Sequence, residues 1–198
     1  PGNYPRLDWT PEWTFDRFVQ WMKGIPGAEA LICVNYGTGT PEEAAAWVRY
    51  ANIEKKYGIR RWHVGNEVDG SWEEGGPADP AQYAARFAEF ARAMKAVDPT
   101  IEVYGPSTFS IEFIAPSGGK VRQSGRGDGL TWMESFLARI GAIERAGGKR
   151  LLDGVDLHSY PYWFESGSPS VENMLHMAQG MGIAFDTLKA MMARRLDD

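Results

Sequence analysis

The residues best suited to chemistry lie in the run Trp62-His63-Val64-Gly65-Asn66-Glu67. It reads as a strand that ends in an amide and a carboxyl. At the C-terminal rim of a parallel sheet, that is where α/β enzymes build their sites. Glu67 can act as a proton donor if burial and a neighbouring carboxylate raise its pKa. Asn66 can hydrogen-bond a substrate hydroxyl as donor or acceptor. The loop beyond adds Asp69, Trp72, Glu73 and Glu74. The alternative for Glu67 is a solvated loop acid.

A second cluster is Leu157-His158-Ser159-Tyr160-Pro161-Tyr162-Trp163. A His and three aromatics at a strand rim are costly to leave exposed without a use. Sugar rings present apolar C–H faces that stack on Trp and Tyr, and hydroxyls that need polar partners. An aromatic rim with Asn, Glu and His therefore suits a carbohydrate cleft. His158, Tyr160, Trp72 and Trp163 are the candidates for it; for Tyr162 and Trp163 the competing reading is packing under a long loop. The turn Asn35-Tyr36-Gly37-Thr38-Gly39-Thr40 has the glycines of a phosphate loop but neither the Lys of a Walker loop nor the third Gly of a dinucleotide fingerprint. It reads better as a tight turn placing Asn35 at the rim. His63, His158 and His176 have no ligand spacing, and Cys33 has no second cysteine to pair with. No metal or other cofactor is expected, and Cys33, inside Ala30-Leu31-Ile32-Cys33-Val34, reads as a buried small hydrophobe.

Alternating elements must position these groups. Thr14 caps a helix with Phe15, Phe18, Val19 and Met22 on one face, closed by Gly24. A buried strand follows from Ala30 to Asn35. Thr40-Pro41-Glu42-Glu43 starts a second helix, with a capping box and a proline at the first helical position. The strand from Arg60 to Gly65 comes next, and Asp79-Pro80 opens a helix with Tyr83, Phe87, Phe90 and Met94 in register. Ile101 to Tyr104 is a third strand, residues 107–128 a long loop, and Trp132, Phe136, Leu137 and Ile140 mark a further helix. Asp153 to His158 is the fourth strand, and Ser170 opens the last helix. Strands separated by helices predict a parallel α/β sheet, either open and doubly wound or closed into a barrel.

The composition is that of a core-forming chain: 198 residues, 43% hydrophobic and 24% charged. Net charge is −5 without a basic cluster, which argues against nucleic acid and anionic membranes as partners. No apolar run approaches the roughly 18 residues of a membrane span. Aromatic content is high at 13%, with eight Trp, eight Tyr and nine Phe, and has to be explained. Residue 1 is Pro, so either a leader was removed or the chain begins inside a longer protein; a secreted or periplasmic location is favoured.

Three runs carry a specific resemblance: residues 34–44 (Val34-Asn35-Tyr36-Gly37-Thr38-Gly39-Thr40-Pro41-Glu42-Glu43-Ala44), residues 47–52 (Trp47-Val48-Arg49-Tyr50-Ala51-Asn52), and Trp62 to Glu67. Together with Val97-Asp98-Pro99-Thr100-Ile101 they closely resemble α-L-arabinofuranosidase-type enzymes, of the clan of retaining glycoside hydrolases built on a (β/α)₈ barrel. The resemblance spans most of the chain. It implies a parallel TIM-barrel-type α/β fold of which strands three to six are present, forming one partial catalytic domain over residues 1–198. It also implies Glu67 as general acid/base, Asn66 as partner of the sugar 2-hydroxyl, and His158 and Tyr160 lining the cleft.

In that clan the nucleophile is a second Glu at the end of strand seven. This chain ends at Asp198, in or just after the helix following strand six, so the resemblance implies that the nucleophile lies elsewhere. Glu165, Asp69 and Glu73 do not sit at a matching strand end. The expectation is retaining hydrolysis of O-glycosidic bonds in plant-type polysaccharides or oligosaccharides, with this chain supplying the acid/base. The alternative is a non-catalytic carbohydrate-binding or scaffold protein. The expected partners are a carbohydrate and, because four strands leave two sheet edges, the missing barrel segments or a second copy.

Overall fold

The computed structural model describes residues 13–108, 132–158 and 171–196. Three of its helices begin where the local chemistry provides an N-terminal cap. In α1 (Phe15–Lys23) the Thr14 side chain accepts from the Arg17 N–H. In α2 (Pro41–Val48) Thr40 accepts from Glu43 N–H, with Pro41 at the start. In α3 (Pro80–Val97) Asp79 accepts from Ala81 and Gln82 N–H. Each cap satisfies donors that a helix N-terminus leaves unpaired. A π-helical segment, Arg49–Glu54, extends α2. Two further helices are α4 (Trp132–Gly147) and α5 (Val171–Leu196). Among the described residues no helix is long and apolar enough to cross a membrane.

Four strands, β1 (Leu31–Val34), β2 (Arg61–Val64), β3 (Glu102–Thr108) and β4 (Gly154–Leu157), form one sheet in the order β1-β2-β3-β4. All three pairings are parallel. A doubly wound sheet reverses its strand order at a switch point. Here each strand lies beside its predecessor in sequence, the single winding of a TIM-barrel wall. This decides between the two topologies that the strand pattern left open.

One face of the sheet is covered by the helices. Ile32, Val34, Trp62, Val64 and Val103 are buried there. They meet an aromatic layer centred on Tyr83, whose ring lies 5.1 Å from Tyr36, 5.2 Å from Phe136 and 5.7 Å from Trp132. Trp47 packs edge-on against Trp62 at 5.9 Å and against Phe15 at 5.4 Å. Much of the aromatic excess is therefore core rather than rim. The Tyr83 hydroxyl donates to the Val64 carbonyl at 2.7 Å, so the one polar atom of that ring is satisfied.

The other face carries Leu31, Cys33, Arg61, His63, Glu102 and Tyr104. Leu31 is 46% exposed and Cys33 is also exposed. The reading of Ala30–Val34 as a wholly buried run, and of Cys33 as a buried hydrophobe, is corrected by this alternation. Successive strand side chains point to opposite faces, and the helices cover only one of them. β3 also runs to Thr108, four residues beyond the expected Tyr104, so the segment read as a loop from Ser107 begins as strand.

Candidate active site

Glu67 stands just past β2, reached through Gly65, whose φ of +77° is open to glycine and rare for other residues. Glu67 itself has φ of +45°. It is buried, and both oxygens of its carboxyl are engaged. His158 Nδ1, one residue past β4, lies 2.6 Å from Oε1. Trp72 Nε1 donates to Oε2 at 2.8 Å. An indole N–H can only donate, so Oε2 accepts there. At Oε1 the roles follow the proton: a carboxylate accepts from Nδ1–H, and a carboxylic acid can donate to a neutral imidazole. The solvated-loop-acid alternative does not hold for a carboxyl gripped on both oxygens.

The loop from residue 66 to residue 79 turns back to supply Trp72. Gly70 N–H donates to the Glu67 carbonyl at 2.9 Å, and Ala78 N–H to the Val68 carbonyl at 2.7 Å. Asn66, half-buried, donates through Nδ2 to Glu73 Oε1 at 2.9 Å. Gly37 lets the loop approach the first turn, because a Cβ there would collide with the Glu74 backbone. Trp72 is 55% exposed, with its N–H on the carboxyl.

Asn35 serves its own turn: its Oδ1 accepts from Thr38 N–H at 3.1 Å and its Nδ2 donates to Thr38 Oγ1 at 2.8 Å. Its side chain is thus tied to the turn and not to the Glu67 cluster. Glu67, Trp72 and His158 are brought together, and Asn66 is adjacent. Tyr160, Trp163, Tyr162 and Glu165 lie outside the described residues, as does the side chain of His176. Among the described residues no group of three or more His, Cys, Asp or Glu side chains is arranged to hold a metal ion.

Beneath Glu67 is a polar network that sequence reasoning missed. Asp156 Oδ1 accepts from Ser107 N–H at 2.9 Å and Oδ2 from the Ser107 hydroxyl at 2.6 Å. His63 Nδ1 lies 2.7 Å from Ser107 Oγ and 3.1 Å from Asp156 Oδ2. Burial alone would push His63 down, but the Asp156 carboxylate, helped by Cys33 on the neighbouring strand, outweighs it and holds the imidazole up at about 9. Burial likewise raises Asp156, and its bonds to His63 and Ser107 bring it below its ordinary value. The available signal was strand periodicity: His63 is two residues before Gly65 and Asp156 two before His158, each on the face of the site.

Residues 34–162, more than half of the chain, match the family model of glycoside hydrolase family 44. α-L-Arabinofuranosidase C of Emericella nidulans is 35% identical over 118 residues, which cover 50% of this chain and 23% of that protein. Exo-α-(1→6)-L-arabinofuranosidase of Bifidobacterium longum is 30% identical over 109 residues, 48% of this chain and 21% of the relative. The chain thus spans less than a quarter of the length of these relatives. A family 51 α-L-arabinofuranosidase from Bifidobacterium longum superposes with a TM-score of 0.65 at 22% identity, over 92% of this chain and 36% of its own. The family 51 enzyme of Thermotoga petrophila gives 0.62 at 24% identity, over 89% and 33%. These likenesses carry the fold, that of part of a TIM-barrel glycoside hydrolase. With the matched residues running from the end of β1 through the site at β2 to beyond β4, the chain belongs to glycoside hydrolase family 44.

Proposed function

We propose that the protein hydrolyses O-glycosidic bonds of plant-type polysaccharides or oligosaccharides by a retaining mechanism, and that this segment supplies the general acid/base, Glu67. The observation that carries the reading is the buried Glu67 carboxyl held by His158 at one oxygen and Trp72 at the other. In the first step Glu67 gives its proton to the leaving glycosidic oxygen as a nucleophilic carboxylate bonds to the anomeric carbon. In the second, Glu67 takes a proton from water as the water oxygen attacks that carbon and the glycosyl ester breaks. His158 stands where it can hold the carboxyl through both protonation states. The half-exposed Trp72 indole offers a stacking face beside the carboxyl, and Asn66 an amide for a sugar hydroxyl.

A retaining pair needs a second carboxyl about 5–5.5 Å from the first. Among the described acids near Glu67, Asp156 is committed to Ser107 and Glu73 to Asn66, and Asp69 lies in the loop past β2 rather than at a strand end. The reading therefore takes the nucleophile from a strand outside the four described, and assigns activity to the full encoded chain rather than to this segment. The names of the curated relatives make arabinofuranosides the first substrates to try.

The test is Glu67→Gln in the full encoded chain. Turnover of α-1,5-linked arabinobiose, a poor leaving group, should fall by roughly 10²- to 10⁴-fold. Formation of the arabinosyl-enzyme from 4-nitrophenyl α-L-arabinofuranoside needs no acid and should fall far less. Equal loss on both removes the acid/base assignment. Binding of arabino-oligosaccharides without release of reducing ends by the unsubstituted protein replaces hydrolysis with recognition.

A further inference from the structure

The register of β3 against β4 shifts between Pro106 and Thr108: Pro106 pairs with Asp156 and Thr108 with Leu157, which leaves Ser107 as an extra residue in the ladder. A bulged residue loses its regular partners, yet buried backbone groups must be paired. Ser107 is 1% exposed and has φ of +49°, a conformation that residues other than glycine rarely adopt. Its N–H is taken by Asp156 Oδ1 and its hydroxyl by Asp156 Oδ2. Its carbonyl accepts from the N–H of Glu67 at 3.0 Å. The two left-handed, non-glycine residues of the site are therefore bonded to each other, and one carboxylate fixes the pair from β4.

We propose that Asp156, acting through the Ser107 bulge and braced by His63, is a positioning residue that sets the backbone, and hence the carboxyl, of Glu67. This rests on the reading of Glu67 as acid/base. β4 then controls Glu67 at two points. Asp156 acts on its main chain through Ser107, and His158, two residues further along and one residue past the end of β4, holds its side chain. His158 is itself tied to the bulge end by its N–H on the Thr108 carbonyl at 2.9 Å. His63 completes the brace from β2, with Nδ1 directed at both Ser107 Oγ and Asp156 Oδ2. Releasing the Ser107 N–H and hydroxyl frees the bulge to relax from its left-handed conformation, which moves the carbonyl that Glu67 hangs from. A displacement of about 1 Å at a reacting group can cost on the order of 100-fold in rate.

The experiment compares Asp156→Asn, and the milder Ser107→Ala, with Glu67→Gln in the full encoded chain, using two readouts. The first is amide hydrogen exchange. Asp156→Asn is expected to speed exchange at the Glu67 N–H at least tenfold, with Val64 and Phe87 unchanged, and Ser107→Ala to act in the same direction. The second is kinetic. Asp156→Asn is expected to lower kcat on α-1,5-arabinobiose on the order of 10- to 100-fold with KM within about threefold, while formation of the arabinosyl-enzyme from 4-nitrophenyl α-L-arabinofuranoside, which needs no acid, changes by less than about threefold. A carboxylate that only supports the fold would reduce both substrates alike and speed exchange throughout, and that result overturns the proposal. So does unchanged exchange at Glu67 in both variants. Equal loss on the two substrates in Glu67→Gln instead defeats the acid/base reading, and the exchange at Glu67 still decides whether the brace exists. Should Asp156→Asn fail to fold, Ser107→Ala carries both readouts, because it removes one hydroxyl and keeps the backbone.

Discussion

The two faces of this short sheet obey different physics. On the helix-covered face, Trp62, Val64 and Val103 meet Tyr83, Phe87 and Phe136, all fully buried; apart from bonds such as Tyr83 to Val64, that face is held by area and packing. The opposite face is a polar lattice. Arg61 pairs with Glu29 and Glu102, Tyr104 donates to Glu102, and His63, Ser107 and Asp156 interlock under Glu67. The first arrangement is non-directional and tolerates many apolar sequences. The second works only with each donor and acceptor in place. The contrast separates what keeps the chain folded from what holds Glu67 in place.

The largest expected effect falls on the packed face. Phe87→Ala removes a fully buried ring and should cost about 4 kcal/mol, read as a lower urea midpoint. The ratio of rates on the two arabinosides, measured on folded protein, should not move. A changed ratio would show that the faces are coupled.

The polar face should instead reveal itself through pH. His63 is held at about 9, above its ordinary 6.5, so its contribution is complete below about 6.5 and is lost as pH rises through 9. Asp156 is held below its ordinary 3.8, so its contribution is present above 3.8 and is lost as pH falls through the lowered value. Cys33, Ser107 and Asp156 are the groups facing His63. His63→Gln should cost roughly 3 kcal/mol near pH 6 and flatten the fall in melting temperature between pH 6.5 and 9. If the variant keeps that alkaline fall, the fall belongs to other groups.

The smallest effect sharpens the comparison at its solvent edge. Arg60 donates to Glu102 at 2.8 Å, but its side chain is 67% exposed. Exposed pairs are screened and contribute little, so Arg60→Gln should shift the melting temperature by less than about 2 °C. A larger shift would mean that the lattice is cooperative out to its margin.

The caps were readable because they are local. Thr14, Thr40 with Pro41 and Glu43, and Asp79 with Pro80 each act within three residues of their own position, and the helices start there. The apolar stripe of α3 was readable for the same reason. The run Ala30–Val34 misled, since continuous apolar character does not state that only one sheet face will be covered. Asn35 was expected at the rim by its place at a strand end; it directly follows β1, and its amide bonds to Thr38 of the same turn. Ser107 carried no signal, because a bulge is defined by the partner strand as much as by its own residues. His63 was noticed as a histidine without ligand spacing, and its partners are 44 and 93 residues away in sequence.

By itself the sequence determined the element types, their order and the Asn66-Glu67 strand end, because capping, periodicity and motif spacing are properties of neighbouring residues. Only the tertiary structure decided the sequential strand order, the grip of His158 and Trp72 on Glu67, and the Asp156–Ser107–Glu67 chain of bonds. These depend on which strands lie side by side and in what register. Such pairings join residues far apart in the chain, and a one-residue bulge is enough to change which of them meet.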